Sequence, residues 1–144
     1  MVWQDAEHIM QKTYHGSCHC GAVAFQADID LAAGTGRCNR SYCRKVRNWS
    51  ARVVSAQFRE LRGGDALGSY VFAQGAGIDH GFCRHCGITL FARGDIPEMG
   101  GAFLSVMVAT LDDASEADLL ASPVPWSDGL HNAGWIAPAE VRHL

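Results

Sequence analysis

The chain has 144 residues, 48% of them hydrophobic and 19% charged, with a formal net charge of −3. That is the length of one ordinary domain, 1–144, able to bury its own core without relying on cross-links. So mild an acidity gives no general reason to expect nucleic acid or an anionic membrane as partner, and six cysteines are too few for a disulfide scaffold.

Residues 1–8 hold no basic region followed by an apolar stretch, so no signal peptide is expected. The most apolar segment, 102–111, is half of the roughly 20 residues that span a bilayer. Both observations point to a soluble, cytoplasmic protein in a reducing compartment. Spaced cysteines there serve more often as metal ligands or reactive thiols than as disulfides.

In chain order, the alternation of Val23, Phe25, Ala27 and Ile29 predicts a strand with one buried face. Residues 52–54, 58–62 and 69–72 read as short strands, with Gly63-Gly64-Asp65 as a turn between the last two. Two more strands are expected at 89–92 and 103–108, joined by a loop at 93–97, with Phe103, Leu104, Val106 and Val108 in the core. Asp113-Ala114-Ser115-Glu116 resembles a capping box, Asp113 being the cap, ahead of a helix whose apolar face is Ala117, Leu119 and Leu120. Another helical turn is expected at 138–141. Trp126 and Trp135 flank Asp128-Gly129 and are expected to anchor the tail on the core, a pocket wall being the alternative. The fold class is mainly β with short helices.

Cysteines arrive in pairs, as Cys18-His19-Cys20-Gly21 and Cys83-Arg84-His85-Cys86-Gly87. Zinc takes four thiolates at tetrahedral corners, and a glycine after the last cysteine lets each turn curl around the ion. A disulfide inside Cys18-x-Cys20 would be strained, and a redox Cys-x-x-Cys normally opens a helix, whereas Cys83 and Cys86 lie between strand-like runs. The pattern therefore favours one structural zinc on Cys18, Cys20, Cys83 and Cys86. Four protein ligands leave no open position, so chemistry is sought elsewhere. His19 and His85 then have surface or supporting roles.

The candidate for chemistry is Cys38-Asn39-Arg40-Ser41-Tyr42-Cys43-Arg44-Lys45. Two thiols stand near Arg40, Arg44, Lys45 and Arg47, surroundings that favour thiolate and attract anions. A solvated basic loop with two incidental cysteines is the plainer reading of the same residues. Arg44 to Trp49 also carries a weak nucleic-acid signature, which the acidic net charge opposes.

Three stretches, Gly16-Ser17-Cys18-His19-Cys20-Gly21-Ala22-Val23-Ala24-Phe25, Cys38-x-x-Ser41-x-Cys43-Arg44-Lys45 and Phe82-Cys83-x-x-Cys86-Gly87, together resemble the glutathione-dependent formaldehyde-activating enzyme family, which includes centromere protein V. The resemblance implies a β-tent of several small antiparallel sheets around a four-cysteine zinc site. It implies carbon–sulfur lyase-type chemistry, the addition of the glutathione thiol to formaldehyde. It also implies a second zinc on a Cys-x-Cys-x-x-Cys triad, of which this chain keeps Cys38 and Cys43 but places Arg40 at the middle position. A guanidinium cannot ligate a metal and its charge opposes one, so an empty or weakly filled second site is expected, with His80 and His131 as candidate substitute ligands. Cys38, Cys43 and Arg40 are then the candidate catalytic residues, and Arg44 and Lys45 would bind the carboxylates of glutathione or another small thiol. A non-catalytic zinc-stabilised binding module is the alternative. Oligomeric state, a homo-oligomer included, is left open.

Overall fold

The computed structural model describes residues 11–71, 77–97 and 100–144. Among the described residues ten strands build two sheets. The smaller is antiparallel, in the order β1 (Lys12–Ser17), β2 (Ala24–Ile29), β5 (Phe58–Arg62). The larger runs β10 (Trp126–Ser127), β3 (Gly36–Cys38), β4 (Trp49–Val53), β9 (Gly101–Met107), β8 (Thr89–Ile96), β7 (Asp79–Cys83), β6 (Leu67–Tyr70). It is antiparallel except at β3–β10. The protein is mainly β, as its alternating pattern requires.

The core lies between the sheets. Phe25, Ala27 and Ile29 of β2 face it together with Leu90, Val106 and Val108, all at most 2% exposed. Three phenyl rings cross from one sheet to the other. Phe25 stacks on Phe58 at 5.4 Å, and Phe58 meets Phe91 edge-on at 5.1 Å. Burying each ring removes roughly 150–250 Å² from water, so this ladder is a main source of inter-sheet cohesion. Leu104 is buried as expected, whereas Phe103 is half-buried and carries the Arg52 guanidinium over its face at 4.8 Å.

Several expectations are corrected. The predicted loop at 93–97 is strand as far as Ile96: Gly94 pairs with Phe103, and Arg93 reaches Glu60 on the other sheet at 3.2 Å. Gly94 read as a break because glycine usually is one; here it makes room, since a Cβ would come within 3.1 Å of the Phe103 ring. Of the predicted strand at 69–72, Ser69 and Tyr70 belong to β6, and Phe72 lies outside the described residues.

Two α-helices are present among the described residues. The first, α1 (Ser41–Val46), was not expected: it has six residues, none buried, and so shows no apolar period. The second, α2 (Glu116–Ala121), is the predicted helix with a different cap. Ser115 Oγ accepts the Asp118 N–H at 3.0 Å, while Asp113 is engaged by His15 at 2.9 Å. Only Leu119 of its apolar residues packs on the core, Leu120 being 78% exposed. No helix forms at 138–141. The Glu140 carboxylate accepts the N–H groups of Val141 and Arg142 and binds the Arg142 guanidinium, a local turn that competes with helix. Trp135 is 82% exposed and anchors nothing.

Candidate metal centre and thiol-lined cleft

The turns that carry the two cysteine pairs are built alike. After β1, Gly21 N–H bonds Cys18 O at 3.1 Å and Gly21 takes φ +79°; after β7, Gly87 N–H bonds Cys83 O at 2.8 Å and Gly87 takes φ +80°. A left-handed residue is needed in each turn, which is why glycine follows Cys20 and Cys86. Backbone N–H groups point at the sulfurs, Val23 at Cys18 and His85 at Cys83, both at 3.3 Å.

These turns belong to different sheets and converge. Cys18, Cys20, Cys83 and Cys86 place their sulfurs all within 4.8 Å of one another, with Cys18–Cys20 at 3.6 Å and Cys20–Cys83 at 3.7 Å. Zn–S bonds of about 2.3 Å imply tetrahedral sulfur–sulfur edges of about 3.8 Å. The donor set therefore fits a tetrathiolate metal ion by chemistry and by spacing. Four thiols this close cannot all ionise unaided. Backbone N–H groups near Cys20 and Ile88 bring Cys86 down to about 6, whereas Cys20, despite the Ala22 N–H, is driven to about 11 by burial and its neighbour thiols. A divalent cation would resolve that conflict. His19 and His85 are not buried, which fits a surface role.

The second constellation assembles where the tail meets β3. Strand β10 runs parallel to β3, with Arg37 N–H on Pro125 O at 3.1 Å and Asn39 N–H on Ser127 O at 3.3 Å. Buried Asn39 then locks the following turn: its Nδ2 donates to Asp128 Oδ1 at 2.7 Å and its Oδ1 accepts Leu130 N–H at 2.9 Å. A shallow, open cleft enclosing about 10 Å³ results, lined by Arg37, Cys38, Cys43, Arg44, Arg47 and Trp126, with Asn48 and Leu144.

Cys38 ends β3 and Cys43 sits in α1, and both line the same cleft. The Cys43 thiol, the N–H groups of Arg40 and Gly129 and the Arg40 charge together hold Cys38 down to about 6, against the effect of burial. Cys43 moves the other way, first through its interaction with Cys38 and then through partial burial. The two shifts are opposite in sign, Cys38 toward the thiolate and Cys43 toward the thiol.

Of the predicted site residues, Cys38, Cys43 and Arg44 come together in the cleft, and Arg40 packs beside it against Gly129. Lys45 is exposed and outside it. Neither candidate substitute ligand completes the pair: among the described residues, Cys18, Cys20, Cys83 and Cys86 form the one group of three or more side chains able to hold a metal. His80 stacks on Tyr42 with ring centroids 3.8 Å apart, and His131 binds Asp128 at 2.9 Å. Arg37 was missed. It lies over Trp49 at 5.1 Å and Trp126 at 5.8 Å, held in place by two aromatic faces. Trp126 is a cleft wall, the less favoured of its two expected roles.

Fold and site together define a two-sheet β protein with a four-cysteine cluster able to hold a metal and a separate cationic cleft bearing two thiols. Residues 13–123 match the profile of the glutathione-dependent formaldehyde-activating enzyme family, and the chain belongs to that family. A crystal structure of a Rhodobacter sphaeroides protein is similar at 32% identity and a TM-score of 0.66, covering 78% of this chain and 99% of that one. Among the described residues no helix is long and apolar enough to cross a membrane.

Proposed function

We propose that the protein binds one structural zinc through Cys18, Cys20, Cys83 and Cys86 and receives a small anionic thiol, glutathione first among candidates, in the cleft beside β3. The observation that carries this reading is the convergence of three guanidiniums, from Arg37, Arg44 and Arg47, on a cleft with two thiols in a chain of this family. Guanidiniums pair with carboxylates through paired N–H donors, and glutathione offers two carboxylates. Ligand pockets for drug-sized molecules run to roughly 300–1,000 Å³. The cleft encloses only about 10 Å³, so the thiol end and one carboxylate would engage its arginine-lined rim, with the rest of the tripeptide along the surface.

The zinc supplies a rigid link between the β1–β2 and β7–β8 turns when bound. The cleft residues supply the rest. Cations around a bound thiol favour its thiolate, and formaldehyde adds to thiolates readily, so holding the two reactants together is most of what a carbon–sulfur lyase-type reaction would require here. Arg40, Cys38 and Cys43 stand where such a reaction would occur, with Arg40 replacing a metal ligand by a fixed positive charge.

Calorimetry with glutathione tests this reading. Millimolar or tighter binding that weakens when Arg37 and Arg44 are changed to Ala supports it, and no heat at millimolar ligand removes it. Adduct formation with formaldehyde, followed by NMR with and without protein, then separates an enzyme from a binding module: binding without acceleration supports the latter.

A further inference from the structure

We propose that Cys38 and Cys43 form a redox pair in which Cys38 reduces a hydroperoxide and Cys43 closes an intramolecular disulfide. The two thiols line one cleft, Cys38 at the end of β3 and Cys43 five residues on in α1. Arg40 N–H donates to Cys38 Sγ at 3.4 Å, and the Gly129 N–H points at the same sulfur. Gly129 also comes so close that a side chain there would strike Cys38, since an added Cβ would be 2.6 Å from Sγ. Arg37, Arg44 and Arg47 complete an electropositive, partly exposed setting, in which cysteines become nucleophilic.

A metal does not compete strongly for this pair. Two thiolates are an incomplete ligand set, and among the described residues no His, Cys, Asp or Glu adds a third donor. A thiol with an adjacent resolving thiol and no metal is the arrangement of a reversible redox site. The other four cysteines are set apart by their shared cluster, in which Cys18 and Cys83 are buried.

The chemistry balances in two steps. Cys38 thiolate attacks the terminal oxygen of the hydroperoxide; the O–O bond breaks, the alcohol leaves with the hydroperoxide proton, and Cys38 becomes a sulfenate. After that sulfenate takes a proton from water, the Cys43 thiol attacks its sulfur; the S–O bond breaks, water leaves with the Cys43 proton, and the disulfide forms. Two electrons pass from the two thiols to the peroxide, and an external dithiol returns them. None of this depends on glutathione binding, so a protein that failed to bind glutathione would still close the bond.

The test uses the full chain as purified, with its metal, treated with one equivalent of hydrogen peroxide, alkylated and mapped by mass spectrometry. The expected result is loss of both free thiols at Cys38 and Cys43, a cross-linked peptide two hydrogens lighter, and full reversal by dithiothreitol. With dimedone present, Cys43→Ser should accumulate an adduct at Cys38, whereas Cys38→Ser should give none at Cys43. Should either variant fold poorly, the map of the unaltered protein decides by itself. The proposal is overturned if both cysteines stay alkylatable after peroxide, if bonds form first among Cys18, Cys20, Cys83 and Cys86, or if added zinc binds stoichiometrically at the pair and shields both reduced thiols.

Discussion

Gly129 lies against Cys38 with no room for a side chain: a Cβ would come within 2.6 Å of Cys38 Sγ and 3.1 Å of Arg40 Nε. The contact joins the tail to the end of β3 and exposes a backbone N–H to the sulfur. Gly129→Ala should displace the Cys38 side chain and slow its alkylation by iodoacetamide at pH 7 by at least several-fold. Since a side chain, not backbone, has to move, stability should fall by only about 1 kcal/mol, read by urea unfolding. Unchanged Cys38 reactivity would contradict the geometry.

The Tyr14 hydroxyl, held by Asp118 at 3.0 Å, gives the fold a pH dependence of definite sign. Burial, then the hydrogen bond and charge of Asp118, push Tyr14 up to about 12 from its ordinary 10.0. The unfolded chain releases this proton near pH 10 and the folded one holds it longer. Its contribution is therefore complete below pH 10 and is lost as pH rises toward 12. A gap of this size corresponds to about 2–3 kcal/mol. Urea unfolding at pH 9 and pH 11 should show about half of that loss, and Tyr14→Phe should remove the part due to this proton.

How much of this was legible in the sequence depended on the range of the interaction. Val23, Phe25, Ala27 and Ile29 announced their buried face because strand periodicity is local. The cysteine turns were readable because glycine and sulfur spacing encode the curl directly. Arg37 was not recognised as a cleft residue and Trp126 was weighed as a pocket wall only second, because what unites them is a parallel pairing between strands about ninety positions apart. Asn39 likewise reads as a loop residue until its bonds to Asp128 and Leu130 are seen. Helix α1 carried no apolar signal, being unburied, and the strand continuation through Gly94 was hidden by a residue whose use there is steric.

Arg40 stands between Cys38 and Cys43 in the sequence, and changing it is informative in both directions. Arg40→Cys should raise the zinc content from one ion per chain to two and protect Cys38 and Cys43 from alkylation. Its backbone N–H still reaches Cys38 Sγ at 3.4 Å, so the turn itself needs little rearrangement. A variant that stays at one zinc would show that this position does not face the thiol pair.

Sulfurs from two sheets converge on one site able to hold a metal, and the apparent binding energy of zinc in such sites, ~10–16 kcal/mol, is comparable to the stability of a whole domain. Metal content by inductively coupled plasma mass spectrometry, on protein purified without chelator, tests that most directly. One tightly held zinc per chain, lost together with the fold when Cys83 is changed to Ser, is the predicted result. No stoichiometric metal in folded protein would contradict it.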